Sequence, residues 1–272
     1  MYERFPNEIL IEIFQYLSTI DLFRSLVNIN SRIESLIKHS TPFKIDLSCI
    51  TTKSEYDYIC KTILLSSSSP LHYLKLSNLI VQCEIQLFIN MFDIMCLFSN
   101  LKSLSLLEVR LSELSIIIPK LKNVSYLSII SEQIDVSKDR KCLYSLIFCS
   151  DSSLSLSLNT LIIKLYNNHL QRVISYTLDG LEETIINKFK NLKYLDVDSC
   201  YLNDLKKLFS YIPNIKHLNV NLFPSDDQIV HQYYSIPCLI CLTLNIYSDR
   251  VSKEKKAKCG ARERERPMSL NK

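Results

Sequence analysis

The sequence predicts a mixed α/β chain: a short unit of three helices, then a horseshoe-like solenoid of parallel strands with helices between them. Three observations lead there. Apolar residues recur at helical spacing through the first forty positions. From Leu71 onward a six-residue Leu-rich segment recurs seven times. The chain has 47% hydrophobic and 22% charged residues, a globular balance. The expected organisation is residues 1–40 for the helical unit, 41–249 for the repeats and 250–272 for a charged tail without apolar period.

The first element is FPNEILIEIFQYL. Ile9, Leu10, Ile13, Phe14 and Leu17 recur at i, i+3, i+4 spacing and form one stripe on a helix. Pro6 suits the first helical position, and Glu8 sits where a carboxylate meets the positive helix end. Ser18 with Asp21 has the spacing of a capping box. It opens a second helix, roughly 21–28, carrying Leu22 and Leu26. A third, roughly 31–38, carries Ile33, Leu36 and Ile37. Three helices this short make a poor core alone, so the stripe needs a covering surface.

These residues resemble the F-box, whose hallmark is a Leu/Phe-Pro-x-Glu start followed by I-L-x-x-I-F-x-x-L. Here that is Phe5-Pro6-Asn7-Glu8, then Ile9, Leu10, Ile13, Phe14 and Leu17. Where the family commonly has an aromatic in its last helix, this chain has Arg32-Ile33, and it has no Trp. The resemblance implies docking on a Skp-family adaptor through Phe5, Pro6, Glu8, Ile9, Leu10, Ile13, Phe14, Leu17, Leu22 and Leu26. Burying such side chains is worth about 1.5–3 kcal/mol each. That is set against roughly 4–15 kcal/mol for association.

The repeated segments read L-x-x-L-x-L, with Val or Ile allowed: LHYLKL, LKSLSL, VSYLSI, LNTLII, LKYLDV, IKHLNV and LICLTL. Their starts, at Leu71, Leu101, Val124, Leu158, Leu192, Ile215 and Leu239, lie 30, 23, 34, 34, 23 and 24 residues apart. An earlier, irregular strand is expected at 43–47. Helix-like stretches such as EYDYICKTIL and EIQLFINMFDIM separate the strands. The pattern resembles degenerate leucine-rich repeats, and LKYLDVDSCYL matches it furthest. Each unit buries its apolar edge only by stacking on neighbours. The last segment runs into the charged tail without the polar cap such an array carries, as in a shortened form of a longer one.

Because strand side chains alternate, the Leu positions point inward and the residue before the second Leu points to the open, concave face. That position holds Tyr73, Ser103, Tyr126, Thr160, Tyr194, His217 and Cys241. The next outward positions of the later repeats hold Asp196, Asp198, Asn219 and Asn221. The expected target surface is therefore Tyr73, Tyr126, Tyr194 and His217 with that polar, acidic patch, suited to basic or amide groups of a partner protein.

Several chemistries find no support. The two glycines, Gly180 and Gly260, make no phosphate-cradling loop. Cys238-x-x-Cys241 lacks a second ligand pair, so no metal is expected and those residues ride the strand. No nucleophile–base pair stands out, so no catalytic residue, enzyme activity or cofactor is expected. The longest apolar stretch is broken by Glu84, Gln86, Asn90 and Asp93, too polar for a bilayer span. From Arg250 to Lys272 nine basic and three acidic residues give +6, against +4 for the whole chain. The basic balance thus belongs to the tail, and no nucleic-acid face is expected. The ten Cys are expected to be free thiols of a cytoplasmic or nuclear protein.

The resemblances together imply a substrate receptor. The helical unit would bind the adaptor and, through it, a cullin ubiquitin-ligase core, while the repeats hold a target protein. The competing expectation is a leucine-rich interaction protein whose first helices only cap the solenoid. It differs in burying Ile9, Leu10, Ile13 and Phe14 against the first repeat.

Overall fold

A computed structural model describes residues 5–26, 29–40, 43–64, 71–92, 98–134, 139, 142–143, 145–149, 154–165, 189–201, 208–209, 211–223 and 239–246. Three helices come first: α1, Asn7–Phe14; α2, Thr19–Leu26; α3, Ser31–Ser40. Pro6 stands one position outside α1, and its carbonyl accepts the Leu10 N–H at 3.2 Å. Ser18 caps α2: its Oγ accepts the Asp21 N–H at 3.1 Å and donates to Asp21 Oδ2 at 2.6 Å. Asn30 caps α3 by accepting the Ile33 N–H at 2.8 Å.

Eight parallel strands follow, each paired with the next in chain order. They are β1, Phe43–Asp46; β2, Leu71–Ser77; β3, Ser103–Leu107; β4, Tyr126–Ser131; β5, Thr160–Leu165; β6, Tyr194–Tyr201; β7, His217–Phe223; β8, Cys241–Ile246. The irregular first strand is β1, whose pairing shifts register between Phe43 and Lys44. All seven Leu-rich segments are strands. Parallel neighbours need crossovers, and the described ones are helical. Helix α4, Lys53–Ile59, continues as a π turn at Cys60–Leu64. Helix α5 spans Glu84–Met91, α6 Leu111–Ile117, and α7, one turn, Leu154–Ser157.

From β2 onward the register is uniform through the motif residues, and the β6–β7 pairing shifts only past them, between Val197 and Cys200. Leu74, Leu104, Leu127, Leu161, Leu195, Leu218 and Leu242 form one row across the sheet, and Leu76, Leu106, Ile129, Ile163, Val197, Val220 and Leu244 another. From β2 to β7 both rows are buried. They belong to one continuous core with Tyr56, Phe88, Phe148 and Phe189 from the crossovers. That core also takes in Leu10, Phe14, Leu22, Phe23, Ile33 and Ile37 of the helical unit. Contacts run from α1 to α3 and from α2 to β1. Arg24 of α2 forms an ion pair with Glu55 of α4.

A ladder binds successive repeats at the strand entries. At four of the seven motif starts the residue just before donates to a carbonyl one repeat back: Asn123 Nδ2 to Ser99 O and Asn214 Nδ2 to Lys190 O, both 2.8 Å, with Asn191 to Leu156 and Ser157 to Val124 between them. Next to it, one carbonyl receives two N–H groups from the following strand. Lys102 O accepts from Ser125 and Tyr126, and Lys193 O from Lys216 and His217. The Asn sits ahead of the apolar segment in the dipeptides Asn123-Val124, Asn191-Leu192 and Asn214-Ile215, a spacing the repeat pattern alone did not single out.

Candidate functional site

The stripe on α1 divides between two surfaces. Leu10 and Phe14 are 2% and 3% exposed, whereas Ile9 and Ile13 are 42% and 41% exposed. Phe5, Pro6, Glu8 and Leu17 are exposed with the second pair. Leu22 of α2 is buried and Leu26 half-buried. Of the ten residues expected to meet an adaptor, Leu10, Phe14 and Leu22 thus face the protein's own core. The reason is the width of an apolar stripe that spans more than one side of the helix: α3 covers one edge and leaves the other bare. Tyr16, outside the periodic set, is 84% exposed and enlarges that bare apolar face.

Arg32 explains how the Phe5-Pro6-Asn7 start is held. Its guanidinium donates to the Phe5 carbonyl at 2.7 Å and, through Nε and Nη2, to Asn7 Oδ1 at 2.9 and 2.6 Å. The residue at the place of the customary aromatic therefore ties the start of α3 to the start of α1. Only a pairing across 25 residues reveals it.

Residues 3–27 match the F-box domain family. The chain carries an F-box. No curated protein and no solved structure matches the chain. F-box domains bind Skp-type adaptors. The exposed face of α1 lies within the matched segment, and the helices carrying it are anchored to β1 and α4 by the shared core and the Arg24–Glu55 pair. Among the described residues no helix is long and apolar enough to cross a membrane.

The second surface is the sheet face turned away from the Leu rows. Tyr73, Ser103, Tyr126, Thr160, Tyr194, His217 and Cys241 occupy one row, each paired with the next. The three tyrosines are half-buried and His217 is exposed. The Tyr194 and His217 rings lie 6.2 Å apart, tilted. The next row runs Asp46, Lys75, Ser105, Ser128, Ile162, Asp196, Asn219 and Thr243.

Asp196 presents little charge to a partner. It is buried, its Oδ2 is 3.1 Å from Lys164 Nζ, and its Oδ1 accepts from Asn219 Nδ2 at 3.1 Å. The acidic patch is therefore partly satisfied from within, because β5 supplies a lysine one strand away. Asn219 Oδ1 is buried without a hydrogen-bond partner. Asn221 is half-buried on the same face, and the Asp198 side chain lies outside the described residues. At the other end Lys75 Nζ meets Asp46 Oδ2 at 3.0 Å. Burial opposes the Asp46 charge, but hydrogen bonds from Ser48 and Lys75 outweigh it and hold the carboxyl below its usual value.

The helix side holds a different titratable cluster. Glu84 is buried at the start of α5, where its carboxyl accepts the Ser77 N–H at 3.0 Å. Burial pushes its pKa up to about 8, the Ser77 bond opposes this, and Asp46 adds to it. Tyr56 donates its hydroxyl to the Glu84 carbonyl at 3.1 Å. Burial pushes the neighbouring Cys60 thiol up to about 12, which leaves it unreactive. Glu113, also buried, accepts the Arg110 N–H at 2.8 Å and the Asn78 amide at 3.1 Å, and Asn78 Oδ1 accepts the Ile85 N–H at 3.0 Å. Asn78 thus joins β2, α5 and α6, and these buried polar groups are structural.

Where the strands exit, a cleft of about 460 Å³ is lined by Asn78, Gln82, Cys83, Glu108, Arg110 and Glu132, among others. Among the described residues no group of three His, Cys, Asp or Glu is placed to hold a metal. Cys241 is exposed on β8, while Cys238, His169, His231 and the 250–272 tail lie outside the described residues.

Proposed function

We propose that this chain is the substrate-receptor subunit of an SCF-type ubiquitin ligase in the cytoplasm or nucleus. The F-box docks on a Skp-family adaptor, which joins it to the cullin core. The repeats form a leucine-rich solenoid whose concave face, with Tyr73, Tyr126, Tyr194 and His217, holds a target protein. The chain does no covalent chemistry; it raises the target's effective concentration near the ubiquitin-carrying enzyme. Parallel strands stacked in chain order, one per Leu-rich segment, support the solenoid reading.

The observation that carries the receptor reading is the bare face of Phe5, Ile9, Ile13 and Leu17 inside the F-box segment. Burial of Leu10, Phe14 and Leu22 favours a capping role for the same helices. The two roles use adjacent edges of the α1 stripe and coexist. Titration calorimetry of the purified chain with a Skp-family adaptor tests the proposal. Binding is expected for the unmodified chain and is lost in Ile9→Asp and Ile13→Asp while circular dichroism stays unchanged. A folded chain that binds no adaptor leaves the capping role alone.

A further inference from the structure

Charge is segregated between the two rims of the sheet. The strand-entry turns present Lys102, Lys122, Lys190, Lys193 and Lys216, all exposed, and half-buried Lys120. Among the described residues these turns, 98–102, 118–125, 154–159, 189–193 and 211–216, contain no Asp or Glu. None of the six lysines is held in an ion pair among the described residues. At the strand exits the sign reverses: Glu108 and Glu132 stand against Arg110. A surface charged only for solubility intersperses both signs; this one separates them.

The basic rim is also rigid and adjoins the aromatic row. Lys102, Lys193 and Lys216 occupy equivalent positions, and their carbonyls each take two N–H groups from the next strand. Each is followed by a residue of the outward row: Ser103, Tyr194 and His217. The side chains are lysines, not arginines. Lys acts as a point charge and lacks the planar fork that grips one phosphate in two places. Lys193 and Lys216 stand on neighbouring strands, one strand spacing or roughly 4.8 Å apart at the backbone, and point charges so placed match carboxylates spread along a polypeptide. Residues 250–272 of the chain carry +6, the same sign as the rim, and so offer it no complementary charge.

We propose that the strand-entry rim, with Tyr194 and His217 beside it, docks an Asp/Glu-rich segment of the target protein, lying across the strands. This rests on the receptor reading and reverses the partner charge expected from Asp196, Asp198 and their neighbours. The test uses the full chain and fluorescence anisotropy with two labelled probes, a short poly-glutamate peptide and a poly-dT oligonucleotide of matched charge. The peptide is expected to bind. Its affinity should fall about tenfold or more in the double variant Lys193→Glu/Lys216→Glu. Reversing Lys53 and Lys61, exposed on α4 and the π turn, should change it less than about twofold.

Three results overturn the proposal: no peptide binding by the folded chain, a loss that follows reversal of Lys255 and Lys256 in the tail and not the rim, or tighter binding of the oligonucleotide through the same lysines. Adaptor titration on the same samples separates the two readings. Retained adaptor binding with any of these results removes the acidic-segment inference alone. Lost adaptor binding with rim-dependent peptide binding removes the ligase reading alone.

Discussion

The sheet and the first helix both carry apolar periodicity, yet they use it differently. Along β2 to β7 every motif Leu faces the core and every intervening residue lies on the opposite sheet face, where Ser105, Ser128 and Asp196 are buried by their neighbours. On α1 the apolar residues share one stripe but not one fate: Leu10 and Phe14 are buried, Ile9 and Ile13 are bare. A strand has only two faces, and its period of two assigns each residue to one of them. A helical stripe is wider than one contact, so a neighbouring helix takes one edge and leaves the other.

The sharpest way to break this comparison is to truncate both edges of α1. Leu10→Ala and Phe14→Ala should each cost about 2–5 kcal/mol of unfolding free energy, and Ile13→Ala less than about 0.5 kcal/mol, by urea denaturation. Equal losses at Phe14 and Ile13 would erase the division of the helix into two faces.

The buried carboxyl behind the sheet gives the next effect. Glu84 has a folded pKa of about 8 against an ordinary 4.5. The folded state therefore binds more protons than the unfolded state between these values, and stability falls as pH rises through that window. The effect is on the order of a few kcal/mol. Glu84→Gln, neutral at every pH and able to accept from the Ser77 N–H, should flatten the profile and unfold less readily than the parent at pH 8. A parent profile already flat from pH 5 to 8 would contradict this placement of Glu84.

The smallest effects belong to the ladder. Asn123→Ala and Asn214→Ala each remove one inter-repeat hydrogen bond and should cost about 0.5–1.5 kcal/mol. The two sites share no partner, so the losses should add in the double variant. Marked non-additivity would mean that the entry turns behave as one cooperative unit.

Much of this was legible beforehand because its causes are local. The seven Leu-rich segments, the strand before them, the Ser18–Asp21 cap and the outward row from Tyr73 to Cys241 all follow from spacing. The ladder was written in the Asn preceding three motif starts, a signal visible only once strand neighbours are known. Pairings over long separations were not legible: Arg32 with Phe5 and Asn7, Lys164 with Asp196, Arg24 with Glu55.

By itself the sequence determined which segments are strands, which residues share a sheet face, and that the first helices bear more apolar surface than they can bury alone. Tertiary structure decided which edge of α1 remains bare, how Asp196 is neutralised, and that lysines from turns far apart in the chain gather on one rim. The division has a physical cause. Alternation and capping act between residues a few positions apart, whereas coverage and charge pairing depend on which elements the fold brings side by side.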